Sequence, residues 1–278
     1  MTGSLGRRAL TVLLLGPVFL GLVLAGPTVF ASGLAILVGL AAWELHRILK
    51  KLGYGTVPVL PVLAVAVYVA NLAGVLGPGE TTLVAVGWGS ALGVLYIPPS
   101  VRRTRSGLAV GVAQLCAAAY LGILPSFLVR LYESGFRGTA PPGTGADWLF
   151  LAVFLIWACD TGAYVVGSLW GRHHLWPAVS PKKTWEGWVG GAVAAITAAV
   201  GLGGVLQSGL AMPAAVGLGF CVAVVAALGD LVESRLKRSA SLKDSGSLLP
   251  GHGGVLDRFD SLFFAAPLFY YYLSAFGR

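Results

Sequence analysis

The chain has 278 residues, of which 56% are hydrophobic and only 11% charged, with a formal net charge of +8 and a mean hydropathy of +0.82. A soluble domain carries about 25% charged residues, so composition excludes an ordinary water-soluble globule and predicts an all-α, polytopic integral membrane protein. The positive charge does not point to nucleic acid, because the basic residues sit in short clusters between apolar runs, as topology determinants do.

The first apolar run, 9–25, follows Arg7-Arg8, a pattern that a secretory signal peptide would also show. Gly26-Pro27 then marks a tight turn and a second run, 28–43, follows at once, which favours a transmembrane hairpin. Runs over 57–76, 81–97, 108–131, 148–170, 189–206, 211–228 and 262–276 bring the expectation to about nine spans at about 20 residues each. About five of these fall in an N-terminal region, 1–146, and the rest in a C-terminal region, 147–278, that holds most of the chemistry. Glycines such as Gly187, Gly190 and Gly191 suit close helix packing. Cys116, Cys159 and Cys221 lie singly in apolar segments and read as small buried hydrophobes.

Basic residues fall in alternate connections: Arg7-Arg8, then Arg47/Lys50/Lys51, Arg102/Arg103/Arg105, Arg172/Lys182/Lys183 and Arg235/Lys237/Arg238/Lys243. The positive-inside rule therefore predicts a cytoplasmic N-terminus, and both polar loops of the C-terminal region on the cytoplasmic side.

The segment 230–261 gathers five of the eleven acidic residues, Asp230, Glu233, Asp244, Asp257 and Asp260. On a continuing helix Asp230 and Glu233 share a face, and Asp257 and Asp260 repeat the same spacing before the last apolar run. Two carboxylate pairs at one membrane interface are costly without cations, and Mg²⁺ is the hard cation that takes such oxygens while keeping places for phosphates. The competing reading is helix capping with salt bridges to Arg235, Lys237 or Arg258. Between the pairs, Pro250-Gly251-His252-Gly253-Gly254 can bring backbone amides close to anionic oxygens. No GxxxxGK[ST] motif is present.

Upstream, Asp160 lies within an apolar run, where a carboxylate is expensive unless it meets a cavity, a cation or a polar partner. Tyr164 and Ser168 fall on its helical face. Ser180, Lys182, Lys183 and Thr184 then combine cations and hydroxyls suited to phosphate, or else simply mark a cytoplasmic flank. The adjacent His173 and His174 carry no zinc spacing.

Together these residues resemble the phosphatidate cytidylyltransferase (CDP-diacylglycerol synthase) family. The resemblance rests on Ser234, Lys237-Arg238, Lys243-Asp244, Pro250 to Gly254 and Asp257-Arg258 with Asp260, and upstream on Asp160 to Tyr164 and Ser180 to Thr184 with Glu186-Gly187. It spans about 157–261; in the N-terminal half only hydrophobicity agrees. It implies transfer of a cytidylyl group from CTP to phosphatidic acid at the cytoplasmic membrane of a bacterium, with Mg²⁺ as cofactor and enough carboxylates for a second cation such as K⁺. The residues it implies as catalytic are Asp230, Asp257, Asp260, Lys243 and Arg258. Substrate would be held by Ser180, Lys182, Lys183, Thr184, Tyr164, Gly251, His252, Gly253 and Gly254. Metal ligands would come from Asp230, Asp257, Asp160, Asp260 and Glu233. The expected partners are the two substrates and the bilayer, with no nucleic acid and room for a homodimer. The alternative from another class is an ion-coupled transporter built on Asp160.

Overall fold

Gly26-Pro27 separates the first two helices where the sequence predicts a turn. The computed structural model describes residues 16–54, 58–74, 86–91, 107–134, 144–205, 210–248 and 253–277. The helices, in chain order, are α1 (16–24), α2 (Pro27–Lys51), α3 (Leu60–Leu72), α4 (86–91), α5 (Gly107–Ser134), α6 (Thr144–Trp170), α7 (Trp185–Val205), α8 (Met212–Ser239) and α9 (Leu256–Phe276). Each of the nine expected runs contains helix in its described part, and the architecture is all-α. Helices α2, α5, α6, α7 and α8 are long and apolar enough to cross a membrane, whereas the apolar α3 has 13 residues. Among the described residues the chain also forms a two-stranded antiparallel hairpin, β1 (His174–Trp176) and β2 (Ser180–Thr184). Strands this short, with no alternation of apolar residues, carry no sequence signal.

Helix ends follow their residues. Pro27 opens α2 after Gly26 at φ 101, since its fixed φ suits the first turn and its missing N–H would go unpaired there. At the other end Gly53, at φ 82, donates to Lys50 O, and Tyr54 N donates to Leu49 O, the paired bonds of a Schellman ending. Helix α8 ends the same way, with Ser241 N to Arg238 O and Leu242 N to Lys237 O, but here the left-handed position is held by Ser241 at φ 54. A non-glycine residue there costs about 1 kcal/mol.

The expected span 211–228 continues without a break through the charged segment to Ser239. At 1.5 Å per residue, α8 is about 42 Å long, while the hydrocarbon layer is about 30 Å thick. It is therefore long enough to cross the apolar layer with its carboxylate-bearing end outside it.

The chain divides into two compact units, residues 1–126 with 232–260, and residues 127–231 with 261–278. In the first, α2 packs on α3, and Tyr68 Oη donates to Ala31 O across them at 2.9 Å. Asn71 Nδ2 donates to Ser126 Oγ at 2.6 Å, and Gln114 Nε2 to Tyr54 O at 2.9 Å, so the buried polar groups tie helices together. In the second, α6 lies against α7 through glycines. A Cβ on Gly162 would come 2.7 Å from Gly190 O, and one on Gly191 would come 2.8 Å from Cys159 O, so backbone meets backbone and only glycine fits.

Candidate active site

In the second unit the β hairpin is held by its own polar groups. Thr184 is buried, and its Oγ1 accepts the Gly187 amide at 3.1 Å, capping α7. Glu186, in the first turn, accepts the amides of Arg172 (3.1 Å) and His173 (3.2 Å) and lies 2.5 Å from His173 Nδ1. These bonds clip the hairpin to the head of α7 and set the course of β2. Ser180, Lys182 and Lys183 are on that strand, with Lys182 exposed. Lys183 forms an ion pair with Asp230 of α8. Asp160 and Tyr164 are both exposed on α6, one turn apart, as their spacing predicts.

In the first unit Glu233, Asp257 and Asp260 lie in one cluster around Lys237, Glu233 and Asp260 being buried. Lys237 Nζ lies 3.0 Å from Glu233 Oε2, one turn earlier on α8, and 2.6 Å from Asp257 Oδ1 at the start of α9. Asp257 Oδ2 accepts the amides of Ser245 and Gly254, each at 2.8 Å. Burial pushes the Asp257 carboxyl up, but hydrogen bonding to Glu233, Lys237 and the Gly254 amide outweighs it and holds its pKa down at about 2. The salt bridges expected as the competing reading thus exist, through Lys237 in particular, without exhausting the carboxylates. Glu233 Oε1 is buried with no hydrogen-bond partner among the described residues. An oxygen of Glu233 lies within 4.8 Å of one of Asp260, and along α8 within 4.8 Å of one of Asp230. An orphaned, buried carboxylate oxygen beside two further carboxylates is a donor set that fits a hard divalent cation.

The remaining expected residues are placed as follows. Lys243 and Arg258 are exposed, and Gly253 takes φ 84. Gly254 has its amide committed to Asp257. Gly251 and His252 lie outside the described residues.

Sequence reasoning missed Glu44, near the end of α2. It is 4% exposed and accepts Ser245 Oγ (2.9 Å), Val255 N (3.1 Å) and Leu256 N (2.9 Å). Its one sequence signal is that it is the only acidic residue in the first 79, in a helix whose last turn is basic.

Comparison with known proteins identifies the family. Residues 6–276 match the model of the Cytidylyltransferase family. A Bacillus subtilis protein named phosphatidate cytidylyltransferase is 35% identical over 278 residues, covering 98% of each chain. One of the same name from Mycobacterium bovis is 33% identical over 264 residues, covering 92% of this chain and 84% of its own. A Staphylococcus saprophyticus protein of that name is 40% identical over 154 residues, 55% of each chain. With nearly its whole length matched, and with the carboxylates gathered at the ends of α8 and α9, this chain belongs to the cytidylyltransferase family.

Proposed function

We propose that the acidic ends of α8 and α9 and the lysines of the β hairpin carry the family's reaction, with Mg²⁺ held by Asp230, Glu233 and Asp260. The protein is a multi-pass membrane enzyme that transfers a cytidylyl group from CTP to phosphatidic acid, giving CDP-diacylglycerol and pyrophosphate. A phosphate oxygen of the lipid attacks the α-phosphorus of CTP; one P–O bond forms as the bond to pyrophosphate breaks. The lipid phosphate is already anionic near neutral pH, so the protein has no proton to remove, and positioning and charge neutralisation provide the rate.

The observation that carries the metal assignment is the clustering of the buried Glu233 with Asp260 and, along α8, with Asp230, the Glu233 Oε1 lacking a donor among the described residues. Bound there, Mg²⁺ would neutralise charge developing on the triphosphate. Lys182, Lys183, Lys243 and Arg258 bind phosphate oxygens. Gly251, His252 and Gly253 are the residues we assign to nucleotide binding, and Ser180 and Tyr164 to further substrate contacts. Thr184 and Gly254 spend their polar groups inside the protein and act by fixing β2 and Asp257. Asp257, already bonded to Lys237 and two amides, orients Lys237, and Asp160 is a further anionic group for a second cation such as K⁺. The distribution of basic clusters supports a cytoplasmic side for these loops, where CTP would be met, and a homodimer is consistent with the exposed apolar helix faces. The transporter alternative has no support from the relatives.

Purified protein in vesicles of phosphatidic acid, given Mg²⁺ and CTP labelled at the α-phosphate, is expected to move label into lipid and release pyrophosphate. Chelation of the metal should stop the transfer. Folded protein that leaves the lipid unlabelled, beside an active control, would remove the assignment.

A further inference from the structure

We infer that Glu44 is a positioning residue for the reaction: it ties Ser245 to Val255 and Leu256 at the first turn of α9, and through them fixes Asp257, Arg258 and Asp260. This rests on the cytidylyltransferase reading above, but the contacts themselves do not. Three donors converge on one carboxylate, Val255 N on Oε1 and Leu256 N and Ser245 Oγ on Oε2. The donors come from residues 201 to 212 positions away in sequence, so Glu44 closes a loop that no local interaction could close.

The arrangement asks for an anion. The amides at the head of α9 have no intrahelical acceptors, and the helix dipole favours negative charge there. All of Glu44's partners among the described residues are neutral donors, so its charge is balanced by amides and a hydroxyl. Glutamine has the same shape but would turn an NH₂ toward an N–H, leaving a buried donor unpaired.

The surroundings are cut to this carboxylate. A Cβ on Gly254 would run into Ser245 Oγ and Glu44 Oε2, and one on Gly246 would run into Glu44 Oε1. Ser245 links Glu44 of α2 to Asp257 of α9, since its hydroxyl donates to Glu44 and its amide to Asp257. Asp257 in turn holds Lys237. A change at Glu44 therefore reaches the cation of the buried cluster through three hydrogen bonds, by way of Ser245 and Asp257.

The test compares the full-length Glu44→Gln protein in detergent with wild type and with Asn71→Ala, which removes an equally buried polar side chain that touches Ser126 instead. Glu44→Gln is expected to elute as folded protein, with amide hydrogen exchange accelerated about tenfold or more over 254–257 and unchanged at α3. Its kcat/KM for CTP should fall about tenfold, with the KM for phosphatidic acid unchanged. Asn71→Ala should leave the exchange of 254–257 and the CTP kinetics near wild type. Ser245→Ala, which deletes one donor only, should shift both readouts in the same direction by a smaller factor. Unaltered exchange at 254–257 in Glu44→Gln, or CTP kinetics within about twofold of wild type, overturns the inference. Should Glu44→Gln fail to fold, unaltered exchange and kinetics in Ser245→Ala do the same. An inactive wild type would count against the proposed reaction, while the exchange result would still decide the role of Glu44.

Discussion

Glu233, Lys237 and Asp257 keep 3%, 11% and 6% of their side-chain surface exposed, whereas Lys183 and Asp230 keep 27% and 35%. The same pairing of lysine with carboxylate therefore exists in two dielectric settings. In the buried cluster each charge is locked by neighbours, since removing one partner would strand the others where water cannot repair the loss. In the hairpin the pair is solvated, weak and easily exchanged, which suits the phosphate-binding role proposed for Lys183. Burial provides fixed geometry, and exposure provides access to substrate.

Substitutions can break this contrast. The largest effect is expected on catalysis: Asp230→Asn and Asp260→Asn should each lower kcat about 100-fold or more with expression and elution unchanged, as measured by CDP-diacylglycerol formation. Next, Lys237→Met should destabilise the protein by about 3–5 kcal/mol, because Glu233 and Asp257 lose their shared cation, while Lys183→Met should cost less than about 1 kcal/mol and act on the apparent KM for CTP instead. Thermal unfolding of the two variants in one detergent reads the difference directly, and equal losses would erase the contrast between the two regions.

Acid should reach the buried cluster through Asp257. Its folded pKa of about 2 lies below the ordinary 3.8, so its contribution is complete above pH 3.8 and is lost as pH falls toward 2. The contribution is on the order of 2 kcal/mol, and the fall in unfolding temperature over that window should be smaller in Asp257→Asn than in wild type. The smallest effect sits at the end of α8, where Ser241 holds φ 54. Ser241→Gly should stabilise the protein by about 1 kcal/mol or less and leave turnover unchanged.

Much of this was readable in the sequence, for physical reasons that differ by residue. The spans are legible because lipid demands long apolar runs, and the pairs Asp230/Glu233 and Asp257/Asp260 because helical spacing places them on one face. Lys237 was foreseen only as one of several salt-bridge partners, since i,i+4 spacing gives its contact with Glu233 but not the one with Asp257, 20 residues on. The hairpin was missed because its bonds run between Glu186 and backbone amides, which no side-chain pattern reports. Glu44 was missed because its partners are some 200 residues distant. In its own neighbourhood, Trp43-Glu44-Leu45-His46-Arg47, it reads as an interfacial charge beside basic residues. The glycines at 246 and 254 likewise carry a meaning that appears only when Glu44 is seen against them.

The most direct test is a crystal of the full chain with CTP and Mn²⁺, in which anomalous scattering locates the metal. The account predicts a peak coordinated by carboxylate oxygens of Asp230, Glu233 and Asp260, with Lys237 still bonded to Asp257. A metal bound elsewhere, or one held by Asp257 with Lys237 displaced, would contradict it.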